Sequence, residues 1–221
     1  KLQPPSREHP FGTDTIGRDI LARTIYGGQI SLTIGIFAVI VEVVVGVLVG
    51  AVAGYFGGWV DDFLMRITEA MLIIPSLFLL IVLSKAIGGS VPEIHFLGRT
   101  FSGSVVVIIL VIGFTSWMYL ARIVRANVLS LKEMDYISAS RALGVSDARI
   151  IFKHLLPNTI APIIVSSTLG VANAITSEAY VSFLGLGVQT PTASWGNMLD
   201  SAVKYLQSAP WLWLFPGMMI M

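Results

Sequence analysis

Glu42 is the lone ionisable residue in the apolar run 29–54. A carboxylate at membrane depth costs about 3 kcal/mol or more and normally faces a partner or water, so proton or ion chemistry could reside here. Two readings are open: a satisfied interior group, or a group on a translocation path. Charged patterns also flank the apolar sequence. Ahead of the run, Gly12-Thr13-Asp14 and Gly17-Arg18-Asp19 place charges beside glycines, which a solvated interfacial loop tolerates by pairing Asp with Arg. Further on, six of the chain's 14 Lys and Arg (Arg122, Arg125, Lys132, Arg141, Arg149 and Lys153) face only Glu133, Asp135 and Asp147 within 122–157. An excess of Lys and Arg beside membrane spans marks the cytoplasmic side, so the polar insert 135–158 is expected inside.

Catalytic patterns are missing. None of the four lysines after Lys1 follows a glycine, so the chain has no Gly-x-x-x-x-Gly-Lys-Ser/Thr phosphate loop, and any ATP must be hydrolysed by another chain. His9, His95 and His154 are far apart, with no second ligand at helical spacing, so no metal site or cofactor is expected. Zero cysteines exclude disulfides, Fe–S clusters and thiolate zinc sites. Ser, His and Asp fall into no elbow or triad pattern, and a non-enzymatic chain is expected. A net charge of +1 leaves no electrostatic footprint for nucleic acid.

The elements that position these residues follow from composition. With 55% hydrophobic and 12% charged residues in 221, and a mean hydropathy of +0.81, the chain reads as an all-α, polytopic membrane protein. Residues 1–27 form an extracytoplasmic or interfacial segment, with a short surface helix from about Thr15. Residues 28–221 form the transmembrane domain, with spans at about 29–54, 63–85, 101–121, 158–177 and an incomplete one at 210–221. In the first span Gly46, Gly50 and Gly54 make a small-xxx-small face that lets another helix approach. Pro75 kinks the second span or breaks one of its backbone hydrogen bonds; at the span's entrance Arg66 and Glu69 can pair, and at its far end Lys85 can snorkel. Residues 86–100, with Gly88, Gly89, Pro92, Glu93 and Arg99, read as a loop. Beyond Glu178, Gly185, Gly187, Pro191 and Gly196 rule out one continuous helix and predict an irregular or re-entrant stretch. Trp211 and Trp213 suit an aromatic belt at the start of the last span. The chain opens on Lys1 and closes in an apolar string of 13 uncharged residues from 209, short of the roughly 20 a span needs, so further sequence is expected at both ends.

The insert itself predicts two short helices broken at Gly144, which takes the left-handed conformation cheaply. Tyr136, Ala139 and Leu143 share one face of the first helix, where Ser138, Ala139, Ser140 and Ala142 leave room for another backbone. Ser146 can cap the second helix, Ala148, Ile151, Phe152 and Leu155 line its apolar side, and Pro157 stops it. A plain amphipathic linker between two spans is one reading of these residues. Their spacing supports another: small-Ala-small, three residues, Gly, nine residues, two variable positions, then Leu-Pro.

That order resembles the cytoplasmic loop of permease subunits of ATP-binding-cassette importers. Ser138, Ala139 and Ser140 stand where the family has Glu-Ala-Ala, followed by Leu143, Gly144, Leu156 and Pro157. The 9–28 stretch, with Gly12-Thr13-Asp14 and Gly17-Arg18-Asp19, resembles the dipeptide, oligopeptide and nickel group of those permeases. So do Glu178, the run 182–187 and Pro191 with Trp195-Gly196. The resemblance implies a type I importer permease bundle in a prokaryotic inner membrane, with 135–157 as the helix pair that couples to ATPases. It implies a second homologous permease chain, two ATP-binding-cassette ATPase subunits and an extracytoplasmic substrate-binding protein as partners, besides the lipid bilayer. Peptide outranks nickel as substrate because the sequence offers no array of metal ligands. A secondary transporter dependent on Glu42 is the alternative from another class, and a structural scaffold would not need the paired-helix insert.

Overall fold

A computed structural model describes residues 1–87, 92, 94–96 and 99–221. They form two compact units, one of Lys1–Ala38, Leu77–Ile112 and Val171–Met221, the other of Val39–Ser76 and Gly113–Gly170. Helix α1 (Ile20–Phe56) is followed by α2 (Gly58–Ile73) and α3 (Ser76–Ile87), and α4 spans Gly103–Leu131. The insert holds α5 (Asp135–Ala142), α6 (Asp147–Arg149), a π-helical turn Ile150–Leu155 and α7 (Leu156–Asn158). Then come α8 (Ile160–Phe183), α9 (Trp195–Ala202), a 3-10 turn and α10 (Trp211–Ile220). α1, α4 and α8 are long and apolar enough to cross a membrane, and α2 with α3 make a fourth crossing if the broken pair counts as one. At 1.5 Å per residue α1 runs about 55 Å, well beyond the roughly 30 Å hydrocarbon core.

Several local expectations are corrected. No helix starts near Thr15; residues 15–18 make a turn, and α1 is continuous from Ile20, its first turn capped by Asp19, whose Oδ1 accepts the Ala22 N–H at 2.8 Å. Pro75 breaks the helix outright. Its ring disfavours a helical residue before it, and Ile74 is extended with ψ 126°. Within 86–100, expected as loop, β1 (Ile94–Phe96) pairs antiparallel with β2 (Arg99–Phe101), Ile94 opposite Phe101, so the described residues include a short strand pair beside the helices. Gly88, Gly89 and Glu93 lie outside the described residues. Arg66 and Glu69 are not within ion-pair distance, and Asp61 takes Arg125 on α4 in a two-pronged pair instead.

In the unit of Val39–Ser76 and Gly113–Gly170, α1 packs on α4 through its glycines. A Cβ built on Gly46 would meet the Trp117 carbonyl oxygen at 3.0 Å, and one on Gly54 the Arg125 oxygen at 2.9 Å. One on Gly50 would overlap the Ala121 oxygen. The backbones touch because the side chains are missing. Around that seam Ala51, Tyr55, Leu120, Val124 and Val128 of the two helices join Ile137, Ile150, Ile151 and Leu155 of the insert in one buried cluster.

In the unit of Lys1–Ala38, Leu77–Ile112 and Val171–Met221, the N-terminal segment docks on α10. Phe11 stacks on Phe215 with ring centroids 3.7 Å apart, and the Trp211 indole N–H donates to the Thr13 carbonyl at 3.2 Å. Ile20, Met198, Ala202, Ala209 and Leu212 fill the space beneath. The stretch after Glu178 is less irregular than its breakers imply. α8 continues to Phe183, and α9 opens on a reciprocal cap: the Ser194 hydroxyl accepts from Asn197 N–H while the Asn197 amide oxygen accepts from Ser194 N–H.

Candidate functional site

Three groups of residues singled out in the sequence take distinct positions, and the 135–157 insert is the one that presents a surface. α5 is anchored by Ile137, which is 0% exposed in the core formed with α1 and α4. The face formed by Tyr136, Ala139 and Leu143 is exposed, Leu143 to 84%. Ser138 and Ala142 are exposed beside it; Ser140 is half-buried and spends its hydroxyl proton on the Tyr136 carbonyl at 2.7 Å. Gly144 closes the helix at φ +73°, with its N–H donating to Arg141 and the Val145 N–H to Ser140.

The second half of the insert is also re-registered. Ser146 takes the N-cap position of α6 without a side-chain cap bond. In the π-helical turn, hydrogen bonds reach from i to i+5, which aligns Ile150 with Leu155 and turns both inward, leaving Ala148 and Phe152 exposed. Pro157 does not stop the helix. It sits at the start of α7, where its missing N–H costs nothing, beside a half-buried Leu156. One α1 residue ties the insert together: the Tyr55 hydroxyl donates to Asp147 Oδ1 at 2.6 Å, and the Arg141 guanidinium lies 5.1 Å over the Tyr55 ring.

The second group, Gly12-Thr13-Asp14 with Gly17-Arg18-Asp19, folds on itself. Asp14 Oδ1 accepts the Ile16 and Arg18 N–H groups at 3.0 and 2.8 Å; Oδ2 accepts Arg18 Nε at 2.6 Å and Arg23 Nη1 at 2.9 Å. Gly12, Thr13 and Asp14 are buried, Gly17 and Arg18 exposed, and Thr13 bridges to Asp19 as an isolated antiparallel pair. Burial pushes the Asp14 carboxyl up, but the Arg18 side-chain bond and the two backbone N–H bonds outweigh it and hold the pKa below the ordinary 3.8. Asp19 is also lowered, by the Ala22 N–H first and then by His9, whose Nδ1 is 2.7 Å from Oδ2. Both folded values lie below the unfolded one. The stabilisation is therefore complete above pH 3.8 and is lost as pH falls through the lowered folded values. Acid titration of tryptophan emission should show a transition below pH 3.8 as Trp211 leaves Thr13, and Asp14→Asn should weaken this docking already at neutral pH, by about 1–3 kcal/mol. An acid transition identical in Asp14→Asn would show that Asp14 does not hold the segment.

The third group was not legible as a site. Glu178, 0% exposed, accepts the Ser31 hydroxyl at 2.9 Å and the Ser182 hydroxyl at 2.6 Å. Ser31 in turn accepts the Trp195 N–H and Ser182 the Val188 N–H, so each hydroxyl proton is committed to the carboxylate. Asn197 donates to the Val188 and Thr192 carbonyls, and the Trp195 indole to Thr24. Ser31, Ser182, Ser194 and Asn197 lay outside the expected site residues; small polar residues within apolar helices were the available signal. Glu42 is 7% exposed and in no salt bridge among the described residues; a Cβ on Gly170 would come 3.2 Å from its Oε2.

The family model described as the binding-protein-dependent transport system inner membrane component matches residues 46–221. The chain belongs to that family. It is 43% identical over its whole length to the dipeptide transport system permease protein DppC of Alkalihalophilus pseudofirmus, covering 68% of that protein. Over 97% of its length it is 40% identical to the oligopeptide transport system permease protein OppC of Bacillus subtilis, covering 66% of that protein. In fold it is similar to a chain of the methionine ABC transporter MetNI, solved in inward-facing conformations. The TM-score is 0.67 at 17% identity, over 91% of this chain and 89% of that one. An amino acid ABC transporter chain matches at TM-score 0.58 and 18% identity, over 90% and 85%. Membership places this transport component in the inner membrane and sets aside the ion-coupled carrier that Glu42 left open.

Proposed function

We propose that the chain is the permease subunit of an ATP-driven importer for dipeptides or oligopeptides. With a second permease chain it lines the translocation path, two partner ATPases dock on the insert, and an extracytoplasmic binding protein delivers substrate to the opposite side. Peptide as substrate is supported by the names of relatives 40–43% identical to this chain. The observation that carries the coupling role is the division of α5 into two faces. Ile137 is locked into the core with α1 and α4, while Ser138, Ala139, Ala142 and Leu143 face outward on the other side.

Such a helix works as a rigid lever. A force applied by a docked ATPase to the exposed face passes through Ile137 and Ile150 into α1 and α4, and through the Tyr55 clamp onto the end of α1. Closure of the ATPases on ATP then biases the helices between inward-facing and outward-facing arrangements, as a coupling between two sites requires. The segments 1–27 and 179–209 lie on the outer side and receive the binding protein, and the positively charged insert lies inside. Leu143 seats in the ATPase cleft, where Ser138 stands in place of a glutamate and leaves apolar contact to carry the docking.

Because the chain has no cysteine, Ala139→Cys introduces a unique thiol on the exposed face. In the assembled importer a bifunctional reagent should join it to an ATPase with a yield that changes with bound nucleotide. A thiol that reacts with cytoplasmic reagents yet never joins an ATPase would remove the coupling assignment.

A further inference from the structure

We infer that a pocket formed by α3, the first turns of α4 and the 185–189 turn binds the free α-carboxylate of the transported peptide, with Lys85 as its cation. The inference deepens the peptide-importer reading and rests on it. Within the Lys1–Ala38, Leu77–Ile112 and Val171–Met221 unit, Ser84, Lys85, Ser104, Ile108, Gly187 and Gln189 help line a cavity of about 260 Å3. That is just under the roughly 300–1,000 Å3 of small-ligand pockets, so it suits one end of a peptide rather than a whole oligopeptide.

Among the described lining residues Lys85 is the one that carries a charge. Ser104 is in the first turn of the 29-residue α4, where the helix dipole favours an anion; its hydroxyl shares a 2.9 Å hydrogen bond with Ser102, whose carbonyl takes the Val105 and Val106 N–H groups. Ser84 is the decisive group. It is 2% exposed, and its hydroxyl is a buried side-chain polar atom without a partner among the described residues. Helical hydroxyls elsewhere in the chain spend their proton on the carbonyl four residues back, as Thr24, Thr68, Ser167 and Thr176 do. Ser84 does not, and a buried donor left unpaired costs free energy until an acceptor arrives. A carboxylate supplies two acceptor oxygens, one for Lys85 and one for a serine hydroxyl. The side of the pocket formed by 185–189 is held by the Glu178–Ser182 network through the Val188 N–H, and Gln189 braces it from the Gly185 and Gly187 carbonyls. A lipid headgroup phosphate offers the same anionic oxygens, and the test separates the two sources.

The assembled importer with its binding protein, in liposomes, is given a dipeptide and its C-terminal amide, and the KM ratio of amide to free acid is compared between wild type and variants. The binding protein's own preference is common to all of them and cancels. Lys85→Gln should shrink the ratio by about tenfold by raising KM for the free acid alone, Ser84→Ala should shrink it less, and Lys85→Arg should restore it. An unchanged ratio in Lys85→Gln, with peptide import intact, overturns the carboxylate site and leaves the importer reading standing. A Lys85→Gln defect equal for both peptides and graded by the anionic lipid content assigns the pocket to a headgroup and overturns it likewise. No peptide import by wild type would overturn the importer reading itself, and this inference with it.

Discussion

Gly50→Leu should abolish accumulation of folded protein in the membrane. A Cβ at position 50 would overlap the Ala121 carbonyl oxygen, which belongs to a helix backbone and cannot rotate away as a side chain would. Relief requires α1 and α4 to part along the seam of Gly46, Gly50 and Gly54. Parting them opens the cluster in which Ala51, Leu120, Val124 and Ile137 are buried. Overpacking of a core side chain costs about 1–3 kcal/mol when neighbours can repack; two helix backbones cannot, so the loss exceeds that range. The check is the yield of monodisperse protein in mild detergent together with its melting temperature. Gly50→Ala should already lower the melting temperature, and Gly50→Leu protein that purifies and melts like the parent would refute the close-packed seam.

Glu178→Gln is the second large effect, and its logic is hydrogen-bond polarity rather than space. The carboxylate only accepts, and two serines bring it protons. Ser31 and Ser182 cannot easily turn round, because their lone pairs already receive the Trp195 and Val188 N–H groups. Glutamine keeps the shape but replaces one acceptor oxygen by an NH2 donor, so at least one buried donor faces another. Each group left unsatisfied costs about 1–3 kcal/mol, and Glu178→Ala, which strands both hydroxyls, should cost more than the Gln variant. The visible consequence should be local. The 184–194 turn and α9 lose their tie to α1 and α8, so limited proteolysis and amide exchange should rise there while 135–157 keeps its protection. Equal protection of 184–194 in parent and Glu178→Gln would mean that the network does not hold the segment.

Both predictions concern residues whose types were legible at once but whose partners were not. Gly46, Gly50 and Gly54 announce a close helix contact by their spacing; nothing local says that the partner is α4 and its carbonyls at Trp117, Ala121 and Arg125. Glu178 stood out as an acid beside apolar sequence, yet Ser31 is 147 residues away from it. The insert shows the same limit at shorter range. Small residues and Gly144 mark a helix and its end, and Gly144 does take φ +73°. Spacing groups the residues of α5 into faces but does not say which face meets α1 and α4. Ile137, the residue that does, is one position from Tyr136.

By itself the sequence determined the membrane class, the helical architecture and the family. Those follow from bulk hydropathy, from runs of apolar residues ended by glycine and proline, and from motifs whose spacing a short stretch of chain carries in full. Only the tertiary structure decided that Asp14 and Asp19 hold the N-terminal segment together, that a π turn carries Ile150 and Leu155 inward while Phe152 faces out, and that Ser84 is left with an unspent proton. The physical reason is that hydrogen-bond satisfaction and close packing belong to pairs of groups, and pairing across a fold is settled by how helices dock, not by the order of residues within any one of them.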